Sequence, residues 1–199
     1  AAGGWHGAAV GEDGTLFVWG CGDVGQLGTG DTASMLAPTR VAGLPAPVRQ
    51  VAAGFSHTGI VTEAGDLLMC GEGEHGRLGL GDEDNRTTPT LVARAVFDGE
   101  AVLMVACGAY HTVVATEGGG VYTFGNGEDG RLGLDVLDGE KQLGLVGVVQ
   151  FKTVMWRAAD LQRLQSDKPP DAVLDMDDDI AGGQRRYFGD EVVELAARL

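Results

Sequence analysis

The stretch GCGDVGQLG, Gly20 to Gly28, decides how this chain is read. Its opening, Gly20-x-Gly22-x-x-Gly25, has the spacing of a loop that cradles a dinucleotide, a weak signal unless a helix begins at once. The next residues are QLGTGDT, which cannot continue a helix, and Asp23 inside the loop has the wrong sign for a pyrophosphate. The same string recurs as GEGEHG at Gly71–Gly76 and GNGEDG at Gly125–Gly130, 51 and 54 residues further on, each succeeded by Gln/Arg-Leu-Gly. A motif that repeats in register marks a repeat architecture, and its glycines are read as turns.

The register extends outward. Gly-x-x-His stands at Gly3/His6, Gly54/His57 and Gly108/His111, each His thirteen residues before Trp19, Cys70 or Phe124. A glutamate comes six residues after each His (Glu12, Glu63, Glu117) and opens a glycine-bearing turn. Downstream, Gly30-Asp31 matches Gly81-Asp82, and Pro38 and Pro89 each precede a valine by three residues. The third copy fades after Leu134.

Within a copy, Val48–Ala53, His57–Thr62, Asp66–Gly71 and Thr90–Ala93 are short apolar or β-branched runs bounded by Gly, Pro and Asp, which predicts four strands per repeat. Four strands in about 50 residues is the unit of a β-propeller blade. In this reading the first glycine ends a strand, the next two supply positive φ, and Leu27, Leu78 and Leu132 return into the core between blades.

Composition agrees. Of 34 glycines in 199 residues, 31 lie in residues 1–150. The net charge is −15 without a basic stripe, which argues against direct binding of nucleic acid and favours basic protein surfaces as partners. No apolar run is long enough for a transmembrane helix. Cys21, Cys70 and Cys107 occupy three different repeat positions without a CxxC pair, as expected of reduced, small hydrophobic residues in a cytoplasmic or nuclear protein.

The run Trp19-Gly20-x-Gly22-x-x-Gly25-Gln26-Leu27-Gly28-x-Gly30-Asp31, preceded by Gly-x-x-His, resembles the repeat of the regulator of chromosome condensation family. The resemblance covers about residues 1–144 and implies an all-β fold: a partial β-propeller of the seven-bladed type, with about three four-stranded blades (3–53, 54–107 and 108–144). Residues 145–199 are expected to form a nonrepetitive acidic tail with one or two short helices, one over Lys152–Gln165 and a last one capped by Asp190. A first motif already under way at Gly3, with three copies where the family has seven, suggests a portion of a longer chain.

The functional expectation is a noncatalytic protein-interaction scaffold that uses acidic rim loops: Asp23, Glu72, Glu74, His75, Glu128 and Asp129. The resemblance also implies an alternative, nucleotide exchange on a Ran-like small GTPase. An ultraviolet-B photoreceptor would need a tryptophan–arginine cluster, of which Gly4-Trp5-His6 is a partial echo. An enzyme using the glycine loops comes last, and no catalytic residue, cofactor or metal is assigned. His6, His57 and His111 are expected to bond backbone groups inside their own blades, since equivalent positions on separate blades need not converge. The run from Asp175 to Asp179 begins like a calcium-binding loop, but it has Ile180 where that loop requires glycine.

Overall fold

The computed structural model describes residues 1–133 and 149–152. The expected helices and acidic loop of the tail lie outside the described residues, except for Lys152, the expected start of the first helix, which ends a strand instead. Eleven strands are described: β1 (His6–Val10), β2 (Leu16–Gly20), β3 (Met35–Arg40), β4 (Val48–Ala53), β5 (His57–Thr62), β6 (Leu67–Gly71), β7 (Arg86–Leu91), β8 (Val102–Cys107), β9 (His111–Thr116), β10 (Gly120–Gly125) and β11 (Val149–Lys152). They pair antiparallel as three sheets, β1-β2-β3, β4-β5-β6-β7 and β8-β9-β10-β11, the blades of an all-β partial propeller.

Each blade takes its first strand from the residues just before a Gly-x-x-His, so sheet and sequence repeat are offset by one strand. In blade one that place is held by a single bridge, Ala2 to Gly7, the counterpart of Ala53 to Thr58. Two strands differ from the sequence reading. The outer strand of blade two starts at Arg86 rather than Thr90, and Val92 leaves it to bury its side chain. Val149–Lys152, expected in the tail, pairs with β10. Pro38 and Pro89 both sit in outer strands, where a missing N–H interrupts no inner ladder.

The blades pack face to face, and blade two is buried on both sides. Ile60 and Leu68 join Ala8, Leu16, Val18, Leu27 and Val48 in the core between blades one and two. Their sequence neighbours Val61, Leu67 and Met69 join Val105, Val114, Tyr122 and Phe124 in the core between blades two and three. That is why LLMCG reads as a continuous apolar run. Strand β9, HTVVAT, alternates buried and half-buried residues instead.

The glycine spacing has a hydrogen-bond origin. The N–H of Gly25 donates to Gly22 O at 2.7 Å and that of Gly28 to Gly25 O at 2.9 Å; Gly76 and Gly79 repeat this at 2.9 Å each. Two consecutive three-residue turns thus deliver Leu27 and Leu78 to the cores. Gly71 ends its strand, as the sequence reading anticipated, and does so at φ +103°, a conformation that reading assigned to the two glycines after it. Gly73 corrects that reading, because its φ is −94°. It must be glycine for space: a Cβ there would lie 2.2 Å from Asp84 O across the loop.

His6 and His57 correct a second expectation, since their partners lie on the next blade. His6 Nε2 is 2.7 Å from Thr58 Oγ1, and His57 Nε2 is 3.0 Å from Thr112 Oγ1. Each threonine hydroxyl gives its one hydrogen back to the preceding blade, Thr58 to Gln26 O at 2.7 Å and Thr112 to Arg77 O at 2.8 Å. The hydroxyl therefore accepts from the imidazole, which fixes the Nε2–H tautomer. Burial lowers the pKa of His6 to about 4; burial first, then the Arg77 charge, lowers that of His57 to about 3. Both rings are neutral at physiological pH.

The glycine of Gly-x-x-His makes room for this ring. A Cβ on Gly54 would lie 2.5 Å from His57 Cε1 and 2.6 Å from Gly108 O of the next blade. The same turns are stitched together by Gly4 N–H to Gly54 O (3.0 Å) and Phe55 N–H to Gly108 O (3.2 Å). In blade one Gly7 takes the threonine position, and the Trp19 ring covers it. Replacing Thr112 with valine should leave His57 Nε2–H and Arg77 O unpaired in the core and cost about 1–3 kcal/mol in urea denaturation. Thr112→Ser should recover most of that loss.

Candidate functional site

The loops after β2, β6 and β10 stand on one rim, beside the turns that precede β1, β5 and β9. Backbone bonds fix this: Cys21 N–H to Trp5 O, Glu72 N–H to Ser56 O and Asn126 N–H to Tyr110 O, each 2.9 Å. From residue 21 to 34, 72 to 85 and 126 to 133 these loops hold nine Asp/Glu against two Arg.

Both arginines are engaged within their own loops. Arg77 is 0% exposed. Its Nη1 donates to Glu72 Oε2 at 2.7 Å, its Nη2 to Glu74 Oε2 at 3.4 Å and its Nε to Glu74 O at 2.9 Å. Arg131 repeats the arrangement in blade three, with Nε to Glu128 O at 2.7 Å and Nη2 to Asp129 Oδ2 at 2.8 Å. A buried guanidinium must be paired, so Glu72 and Glu74 serve the loop itself before any partner.

The other expected site residues lie at the loop tips. His75 is exposed beside Glu74 (4.0 Å) and sits at φ +62°, matched by Asp129 at φ +57°. His and Asp are among the residues that tolerate the left-handed region. Blade one has Gln26 where the others have arginine, and Gln26 Oε1 accepts from Val24 N–H at 3.0 Å. Asp23 has no ion pair among the described residues; it is exposed, with Ser34 Oγ at 3.5 Å. Among the described residues no three His, Cys, Asp or Glu side chains converge where a metal ion could sit. Cys70 is buried, which pushes its thiol up to about 12.

The glycine motifs lead into single three-residue 3-10 turns, Glu74–Gly76 and Glu128–Gly130, and then into the core at Leu78 and Leu132. Among the described residues no long helix dipole points at them. No helix among the described residues is long and apolar enough to cross a membrane.

The sequence reading missed an aromatic row along the same rim. Trp5, Phe55 and Tyr110 are 62%, 40% and 41% exposed. The ring centroids of Trp5 and Phe55 are 5.9 Å apart, and those of Phe55 and Tyr110 6.4 Å. Arg77 and Arg131 lie over Tyr110 at 5.2 and 5.7 Å from its ring centre.

The Regulator of chromosome condensation (RCC1) repeat matches residues 13–61 and 64–115, more than half of the chain, and a second form of that repeat matches 105–131. The chain belongs to this family. It is 39% identical over 142 residues to human "Probable E3 ubiquitin-protein ligase HERC3", covering 70% of this chain and 13% of that protein. It is 42% identical over 134 residues to "Ultraviolet-B receptor UVR8" of Arabidopsis thaliana, covering 67% of this chain and 30% of the receptor. Among solved structures it is similar to yeast RCC1 (Prp20) bound to Kap60, with TM-score 0.65 and 26% identity over 77% of this chain and 36% of that one. The Saccharomyces cerevisiae Prp20p structure, described with its binding to Gsp1p and histones, gives TM-score 0.64 at the same 26% identity, over 77% of this chain and 38% of that one. The chain thus spans well under half of each of these relatives.

Arg77→Gln, which installs the residue blade one uses, should keep the fold and cost about 1–3 kcal/mol in urea denaturation. Arg77→Glu should prevent blade two from packing, since it buries a charge among like charges.

Proposed function

We propose that this chain is a noncatalytic docking segment whose acidic rim binds a basic protein surface. The observation that carries the reading is the excess of carboxylates on one rim, nine against two arginines that are already engaged within their loops. A rim of one sign raises encounter rates with a partner of the other and makes binding sensitive to salt. The relative Prp20p, described as binding histones, supports a basic partner. Asp23, His75, Glu128 and Asp129 would meet it, with Glu72 and Glu74 holding Arg77 and the exposed Glu74 also within the partner's reach.

A second reading, nucleotide exchange on a Ran-like small GTPase, is favoured by the likeness to Prp20p described with Gsp1p. The photoreceptor reading has less support, because Trp5 neighbours Phe55 while Trp19 lies over Gly7 on the blade face; Trp156 lies outside the described residues. In the docking reading the chain works in the cytoplasm or nucleus, on a protein partner and neither nucleic acid nor membrane.

Purified core histones should bind the chain at low salt and release as salt is raised from about 50 to 200 mM. Asp23→Asn/Glu128→Gln/Asp129→Asn should weaken that binding severalfold, and unchanged binding would contradict the rim as the site. Accelerated release of labelled GDP from Gsp1p would instead establish the exchange reading.

A further inference from the structure

We propose that the row Trp5, Phe55 and Tyr110 is the recognition element of this rim and takes an extended segment of a partner protein with arginine at alternate positions. The inference rests on the docking function above and gives its chemistry.

Three adjacent aromatic rings left open to water on one rim are an unusual exposure for side chains that otherwise bury. Their spacing is regular, 5.9 and 6.4 Å between centroids. In an extended chain, side chains two residues apart on the same face are separated by about 6.6 Å. An extended segment crossing blades one and two therefore places residues i and i+2 in step with Trp5 and Phe55.

The molecule itself displays what such rings hold. Tyr110 has the guanidinium groups of Arg77 and Arg131 at 5.2 and 5.7 Å from its centre, and each arginine is anchored by carboxylates of its own loop. A flat guanidinium stacks on a ring face while its edge stays free to bond carboxylate, which an ammonium group does less well. Among the described residues, Trp5 and Phe55 have the rings without the cations. Countercharge is available on the adjoining loop: the segment bearing Asp23 is bonded to Trp5 O through Cys21 N–H, and Asp23 has no ion pair of its own among the described residues. Arginines from a partner would complete on Trp5 and Phe55 the pairing that the chain completes for itself on Tyr110.

The test uses fluorescein-labelled octapeptides of alternating arginine and serine, alternating lysine and serine, and alternating glutamate and serine, with fluorescence anisotropy as the readout on the full chain. The arginine peptide should bind about tenfold more tightly than the equally charged lysine peptide. Trp5→Ala/Phe55→Ala should abolish that preference, and Asp23→Asn should weaken the arginine peptide severalfold. These side chains are exposed, so an unchanged melting temperature certifies the variants. Equal binding of the arginine and lysine peptides, or a preference that survives the double substitution, would overturn the inference while leaving an acidic docking rim standing. Binding of neither basic peptide, or tighter binding of the glutamate peptide, would overturn both.

Discussion

One buried hydrogen-bond relay organises this fold: a neutral imidazole on each of the first two blades donates to a threonine hydroxyl on the next, and that hydroxyl donates in turn to a carbonyl of the first. His6–Thr58–Gln26 and His57–Thr112–Arg77 are the two instances, and each ties together the three chain segments that must meet at a blade junction. The hydrophobic cores supply the larger driving force, but apolar packing is nondirectional. The relay adds direction, because it can be satisfied only when successive blades stand in one register.

Accommodating that relay accounts for several features of the repeat. The glycine three residues before each histidine lacks a side chain because the ring occupies its space. The Gly-x-x-Gly-x-x-Gly run folds into two turns, so that the carbonyl of Gln26 or Arg77 reaches the hydroxyl while the next residue, Leu27 or Leu78, enters the core. The rim loops are thereby held close to the turns carrying Trp5, Phe55 and Tyr110, so mechanical and recognition features share one edge. The spacing of Gly20 to Gly25 follows from the geometry of these turns.

The blade fold is legible in the sequence because it depends on local chemistry repeated in register: glycines where turns close, leucines where the chain returns, short apolar strands between. The illegible features depend on partners far away in sequence. Sequence alone points the histidines at backbone groups within their own blades, because nothing local marks a threonine 52 or 55 residues away as the acceptor. The aromatic row escapes because its members do not occupy one repeat position: Phe55 aligns with Gly4 and Ala109, whereas Trp5 aligns with Ser56 and Tyr110. Of the acidic residues singled out from sequence, Glu72 and Glu74 hold a buried arginine and Asp129 pairs with Arg131, while Asp23 and Glu128 have no ion pair among the described residues. Strand β11 is hidden because the third copy loses its motif before reaching it.

The most direct test of the relay is the protonation of its histidines, monitored by long-range nitrogen–proton correlation of the imidazole rings from pH 8 downward. The account predicts the Nε2–H tautomer for His6 and His57, with protonation delayed until about pH 4 and 3. The unfolded chain would take up these protons near pH 6.5, so stability is lost as the pH falls below that value. Rings found as the Nδ1–H tautomer, or titrating near 6.5 in the folded protein, would contradict it.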